Sequence, residues 1–452
     1  MSGSAAIPFT KVSIDMLISL LLPALLQAQS FKYDLLLKGG HVIDMANNRN
    51  GVADVAVADG KIAAVAANIP ASDAFKVVDV AGHYVTPGII DIHAHVVGGR
   101  AERPSYPADL NFSSGVTTIV DAGTHGADNF ANFRRDVVNH SKIRVLGLVN
   151  IVRAGMGNDR EQDPKLMDPK RCAETIKANR DIAVGVKTAH YWTGQPWDKE
   201  HPPWAAVDGA VQCGNLANVP VMVDFWPRDE RTYDDLILKH MRPGDIHTHV
   251  FAQQFPLLDA QGKVQKYMYE ARKRGIIFDV GHGAGSFWWR QAVPVIQQGF
   301  WPDSISTDLH SANWNGPVVN MITTMSKFLA MGMPMHEVIR RSTVNPAREI
   351  KRPELGTLTV GREADIAVLE VLKGKFGYTD CGRVKFVGDS KIEARVTLRA
   401  GRIVHDPTGV TMYSYDNAPP SYFKTPKLQG VEPSAIAEPV MPSRKAAAST
   451  QK

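Results

Sequence analysis

From Tyr33 to about Thr86 the chain alternates apolar and polar residues with a period of two. The stretches are "YDLLLKGGHVID", "GVADVAVADGKIAAVA" and "KVVDVAGHYVTPG", with glycine-rich turns between them. The same alternation returns late, in "LGTLTVGREADIAVLEV" and "EARVTLRAGRIVHD". Two such blocks flanking the middle of a chain are expected to pair, giving one small composite β-sandwich domain from residues 31–87 and 349–415. Between them, strand-like runs alternate with helix-length stretches. The runs are "IIDIHAH" (89–95), "GVTTIVDAG" (115–123), "IRVLGLVNI" (143–151), "IAVGVKT" (182–188), "VPVMVDF" (219–225), "DIHTHVF" (245–251), "IIFDVGHG" (276–283) and "SISTDLH" (304–310). Repeated β-then-α units imply a parallel sheet, and this series over residues 88–348 predicts an α/β fold built on a closed (β/α)8 TIM barrel.

The polar residues of these runs gather at their C-terminal ends: His93 and His95, Asp121, Lys187, Asp224, His249, His282 and Asp308. That end of such a barrel is its catalytic face. Strand side chains alternate, so His93 and His95 share a face, as do His247 and His249. Neutral imidazole is a common metal ligand, and paired imidazoles at a strand mouth gain nothing by packing.

Composition changes this picture little. The 452 residues are 44% hydrophobic and 21% charged, ordinary for a globular chain of this length. The net charge is +5, of which residues 424–452, with five Lys or Arg against two Glu, carry +3. The remainder is almost neutral, so nucleic acid is not an expected partner. Cys172, Cys213 and Cys381 are too few and too scattered for a disulfide framework or a thiolate cluster. "MLISLLLPALLQA" (16–28) is short for a membrane span and resembles a signal-peptide core with a cut after Ala28. Residues 1–28 are therefore expected to direct the protein to a secreted or periplasmic location, leaving no membrane span. The other reading of this segment is an N-terminal amphipathic or buried helix in a cytoplasmic protein. Residues 416–452, rich in Pro, Ala, Ser and Lys, read as a C-terminal arm and disordered tail. The chain has no GxxxxGK[ST] phosphate loop and no GxSxG elbow, and "HEVIR" at His336 lacks the second histidine of a zinc-protease helix.

"PGIIDIHAHV", "VGVKTAHY", "GDIHTHVF", "FDVGHGAGSF", "PDSISTDLH" and "LGTLTVGREADIAVL" together resemble the amidohydrolase superfamily, in its amidohydrolase/deacetylase branch near dihydroorotases and D-aminoacylases. The resemblance covers residues 33 to about 405. It implies that His93 and His95 bind a first metal, that Lys187 is carboxylated by CO2 (N6-carboxylysine) to bridge two metals, and that His249 binds the second. It implies that Asp308 binds the first metal and, as general base and acid, moves the proton while a metal-bound hydroxide attacks the carbonyl. His247 is left between an orienting role and a ligand role. The fifth run departs from the family, placing Asp224 where a histidine is usual. Asp224 either keeps a second site with a harder metal preference or leaves that site weak, and His190 either replaces the missing ligand or touches substrate. His282 is read as a substrate or oxyanion contact against a buried structural histidine. Tyr191, Trp192 and Trp197 are candidates for the pocket wall or plain packing. Arg100 and Arg103 are candidates for a substrate carboxylate, and His125 and His310 are weaker candidates.

The implied cofactors are one or two divalent ions, Zn2+ first and Mn2+ next. The implied reaction is hydrolysis of an amide or ester in a small N-acyl or O-acyl compound. Two rivals are hydrolysis of cyclic amides, as in dihydroorotases and hydantoinases, and a barrel without metals acting as a binding protein. A homo-oligomer is compatible with the sequence.

Overall fold

The computed structural model describes residues 31–96, 107–157, 159–420 and 422–423. The apolar segment 16–28, Arg100, Arg103 and the tail beyond Phe423 lie outside them. Five strands open the described chain: β1 (Tyr33–Asp44), β2 (Arg49–Ala58), β3 (Lys61–Ala66), β4 (Ala74–Asp79) and β5 (Tyr84–Pro87). Seven follow in the middle: β6 (Ile89–Ala94), β7 (Val116–Gly126), β8 (Arg144–Asn150), β9 (Ala183–Thr188), β10 (Val221–Val223), β11 (Ile246–His247) and β12 (Ile277–Phe278). Three close it: β13 (Ile366–Thr379), β14 (Lys385–Arg399) and β15 (Arg402–His405).

The outer strands form one hydrogen-bonded sheet, ordered β15-β14-β13-β5-β1-β2-β3, with β4 beside β1. β5 joins the two chain ends, running parallel to β1 through His41 and Tyr84 and antiparallel to β13 through Val85 and Val368. Its apolar face explains the junction. Leu35, Val55 and Val85 from the first block and Val368, Val396 and Leu398 from the last bury into a single core. At about 25 cal/mol per Å2 of apolar surface, neither half could hide that face alone as well as the two do together.

The middle strands make a parallel sheet in sequence order, β6 through β12. It closes through residues 304–309, which bridge Asp279 on one side and Ala94 on the other. His282 N donates to Ser306 O at 3.2 Å, and His95 N donates to Leu309 O at 2.9 Å, so this eighth segment is bonded to both neighbours. The result is the TIM barrel. β10, β11 and β12 are two or three residues long, well short of the apolar runs that predicted them. The chain leaves the ladder there because its next residues must bend into the barrel mouth.

The barrel interior is polar for a fold that usually fills it with branched apolar residues. Asp91 and Asp279 are fully buried. Asp91 accepts from Thr307 Oγ1 and from the Thr307 and His93 backbone N–H groups, while Asp279 accepts from Thr248, Ser304 and Ser306. Glu349, at the end of the helix Val344–Glu349, is also buried, and its Oε2 has no hydrogen-bond partner among the described residues. Burial, then the charges of Asp303 and Asp279, push its carboxyl well above 4.5.

The folded protein therefore keeps a proton that the unfolded chain releases, so Glu349 lowers stability progressively as pH rises above about 4.5. Glu349→Gln should melt at least about 2 °C above the parent at pH 8. Scanning calorimetry across pH should show that gap closing toward pH 4.5.

Candidate metal centre

Six of the residues at strand ends meet on the wall of one cavity of about 340 Å3: His93, His95, Lys187, Asp224, His249 and Asp308. The chain pays for this in backbone strain. His249 has φ +63°, Asp308 +48° and His190 +49°, left-handed values that non-glycine residues seldom adopt. At His249 the turn also breaks strand alternation. Thr248 and His249 both face the site, whereas His247 points away into an aromatic cage of Tyr233, Phe255 and Phe278. The expectation that His247 and His249 share a face therefore fails, because β11 ends at His247. Neither ring nitrogen of His247 has a partner among the described residues, so it orients nothing in the centre.

Glycines make room. A Cβ on Gly281 would lie 2.2 Å from Thr248 Oγ1 and 3.0 Å from His93 Nδ1, one on Gly123 would lie 2.5 Å from Lys187 Cβ, and one on Gly283 would lie 2.5 Å from Asp308 Oδ2. These glycines are legible in "VDAG" and "DVGHG", but their function is visible only in space.

The proton positions on the histidines follow from their partners. His93 Nδ1 lies 2.8 Å from Thr248 Oγ1, whose only hydrogen goes to Asp279 Oδ2 at 2.8 Å. Thr248 must therefore accept, so His93 carries its proton on Nδ1. The same logic holds for His95, whose Nδ1 lies 2.9 Å from Thr124 Oγ1, which donates to Asp121 Oδ2 at 3.0 Å. His249 Nδ1 donates to Gly281 O. Each Nε2 then faces the cavity, that of His93 toward Lys187 Nζ and those of His95 and His249 toward a carboxylate oxygen.

His95 Nε2 is 3.2 Å and His93 Nε2 3.6 Å from Asp308 Oδ1, and His249 Nε2 is 3.4 Å from Asp224 Oδ2. Imidazole nitrogens, carboxylate oxygens and the Lys187 amine thus converge on one small volume. His93, His95 and Asp308 are buried, with ligand atoms all within 4.8 Å of one another, and two imidazoles with a carboxylate are a fitting donor set for a divalent ion. Burial, then the charge of Lys187, drive His93 down to about 3, so it stays neutral. Burial would raise Asp308, and only cationic neighbours, as imidazolium at His93 and His95 would be, hold it well below the usual range. At His249 burial is outweighed by Asp224, which raises the imidazole.

Lys187, 1% exposed, lies with Nζ 3.0 Å from His93 Nε2. Burial lowers its pKa against the pull of Asp224, Asp308 and Glu161. His190 sits exposed at the rim, between Asp224 Oδ2 at 3.5 Å and Glu161 Oε2 at 3.7 Å, and those charges raise it to about 9. His190 and Asp224 both line the cavity.

Other candidates lie elsewhere. His282 is fully buried, stacked on Phe287 at 4.6 Å and bonded to Lys327, away from the cavity wall, which corrects its reading as a substrate contact. Tyr191 is buried with its hydroxyl on Pro202 O, and Trp192 stacks on His201, so neither lines the cavity, nor does Trp197. Phe225 and Trp226 supply the aromatic wall instead, and His310 joins it. The hydroxyls of Thr248 and Thr124 escape sequence reading, since threonine in a strand is ordinary; only the three-dimensional pairing with Asp279 and Asp121 marks them.

The amidohydrolase family model matches residues 289–404. A curated relative from Enterococcus faecalis named "Deacetylase" is 32% identical over 376 residues, covering 82% of this chain and 99% of the relative. A solved adenine deaminase superimposes with a TM-score of 0.75 at 31% identity, over 83% of this chain and 100% of its own. A solved dihydroorotase does so with 0.70 at 28% identity, over 82% and 99%.

Thr248→Val removes the acceptor that fixes the His93 proton while keeping the side-chain shape. Zinc affinity of the folded variant, measured by chelator competition, should fall about 10- to 100-fold. Unchanged affinity would show that this relay does not orient His93.

Proposed function

The chain belongs to the amidohydrolase superfamily and is a hydrolase acting on C–N bonds, and from that premise we propose that it uses one or two divalent ions to cleave the amide, or ester, of a small N-acyl or O-acyl compound. The observation that carries this reading is the convergence of His93 Nε2, His95 Nε2 and Asp308 Oδ1, with both imidazole protons committed on the far side of the rings. The name of the Enterococcus faecalis relative supports the acyl class. A cavity of about 340 Å3 suits a small molecule.

His93, His95 and Asp308 would hold the first ion, and His249 with Asp224 the second. A divalent ion bound there supplies Lewis acidity and a water acidified to near neutrality. Imidazoles favour Zn2+, and the oxygen of Asp224 adds affinity for Mn2+. Lys187 would link the two positions once its amine attacks CO2, forming an N–C bond and releasing a proton. That step turns a repelling cation into an anion with two oxygens. Burial that disfavours the ammonium supplies the neutral amine the reaction needs.

Asp308, on the cavity wall, would take the proton of the attacking water and pass it to the leaving nitrogen or oxygen. His190, at the rim between Glu161 and Asp224, stands where a substrate carbonyl or carboxylate would enter. The apolar segment 16–28 supports a secreted or periplasmic location. No helix of the described residues is long and apolar enough to cross a membrane.

Asp308→Asn should lower turnover of N-acetyl and O-acetyl test compounds by about 10²- to 10⁴-fold per bound metal ion, with metal content measured by mass spectrometry. Undiminished turnover removes Asp308 from the proton path. Chelator dialysis should abolish hydrolysis and added Zn2+ or Mn2+ restore it; activity that survives complete metal removal overturns the metal reading. Protein equilibrated with 13C-bicarbonate should show a carbamate carbon resonance that Lys187→Met lacks.

A further inference from the structure

We propose that Lys327, which lies outside the cavity, is the positioning residue that holds the two segments flanking Asp308 in register with it. Its kinetic consequence rests on the hydrolase reading above, whereas its structural consequence rests on geometry alone. Lys327 projects from the helix Met321–Ala330 and is fully buried. An ammonium has three donors, and here each finds an acceptor from a different part of the chain. Nζ bonds His282 Nε2, Pro317 O at 2.7 Å and Thr379 O at 2.7 Å. His282 donates from Nδ1 to Gly283 O at 3.0 Å, which leaves its Nε2 as the acceptor Lys327 requires.

Each of the three contacts leads to the site. Pro317 follows the turn that leaves Asp308, where His310 lines the cavity and Asn313 Nδ2 donates to Asp308 O at 2.6 Å. Next to His282, Gly283 N donates to Thr307 O at 2.9 Å, and the backbone of Gly283 presses so near Asp308 Oδ2 that a Cβ would stand 2.5 Å away. Ala284, Gly285 and Ser286 then line the cavity. Thr379 ends β13, and the turn after it clasps this same segment. Cys381 N donates to Phe287 O at 3.0 Å, Trp289 N to Asp380 Oδ2 at 3.1 Å, and Trp289 Nε1 to Val384 O at 3.1 Å.

The tip of the β13–β14 hairpin is thus an outer wall of the catalytic face, and Lys327 is the joint where hairpin, seventh-strand segment and eighth-strand turn meet. Removing the ammonium takes a donor from three buried acceptors at once. The segments that lose their anchor are those whose positions set Asp308. A shift of about 1 Å in a reacting group can cost about 100-fold in rate.

Two variants test this. Lys327→Met keeps the side-chain length without the charge. His282→Phe keeps the stack on Phe287 and removes one acceptor. In either folded variant, hydrogen–deuterium exchange of 282–289 and 311–319 should accelerate at least about tenfold while β6 to β9 keep the parent's protection. On zinc-loaded protein, kcat should fall about 10- to 100-fold, KM should change less than about threefold, and zinc content should be unchanged. The double variant should lose little more than either single one, because both break one joint. Parental exchange in both segments, or an unchanged kcat per zinc-loaded molecule, overturns the proposal. If Lys327→Met fails to fold, His282→Phe decides by the same readouts. If the parent hydrolyses no acyl compound, the functional reading falls, and the exchange data alone decide whether Lys327 anchors the segments.

Discussion

The centre depends on where three protons sit. Hydroxyls already committed to buried aspartates take the Nδ1 hydrogens of His93 and His95, and a backbone carbonyl takes that of His249. Only this turns three Nε2 atoms toward two carboxylates and the Lys187 amine across a small volume. Without the relays each imidazole could rotate or change tautomer, and the same residues would cancel one another as ordinary hydrogen-bonded pairs. The supporting groups shape this candidate centre as much as the residues that face it do.

This arrangement explains the polar barrel interior. Asp279 and Asp91 would be costly passengers in an apolar core, each charge losing its water. Here each is surrounded by hydroxyl and backbone donors, and each positions a residue of the candidate centre: Asp279 through Thr248, Asp91 through the backbone at His93 and through Thr307 beside Asp308. The strained turns at His249 and Asp308 belong to the same arrangement, since they bring side chains inward that regular strands would send elsewhere. The small sheet is part of it too, because its longest hairpin closes over the segment that borders Asp308.

The sequence carried its architecture in two periods. Alternation marked the split β domain, and apolar runs spaced by helix-length stretches marked the barrel. Both signals are local, so they survive without coordinates. The site was legible to the same depth. His93, His95, Lys187, Asp224, His249 and Asp308 all sit at strand ends, and strand ends converge in a barrel. Legibility stopped where strands stopped. His247 and His282 looked equivalent to their neighbours in the chain, yet one faces an aromatic cage and the other a buried lysine.

By itself the sequence determined which residue types reach the catalytic face, because strand order and strand polarity follow from hydrophobic pattern. Tertiary structure alone decided which way each of those side chains turns, which hydroxyl fixes which tautomer, and which loops supply the cavity wall. The physical reason is range. Periodicity is a property of neighbours along the chain, whereas a hydrogen bond between Thr248 and His93, or between Lys327 and Thr379, joins atoms whose separation in sequence says nothing about their separation in space.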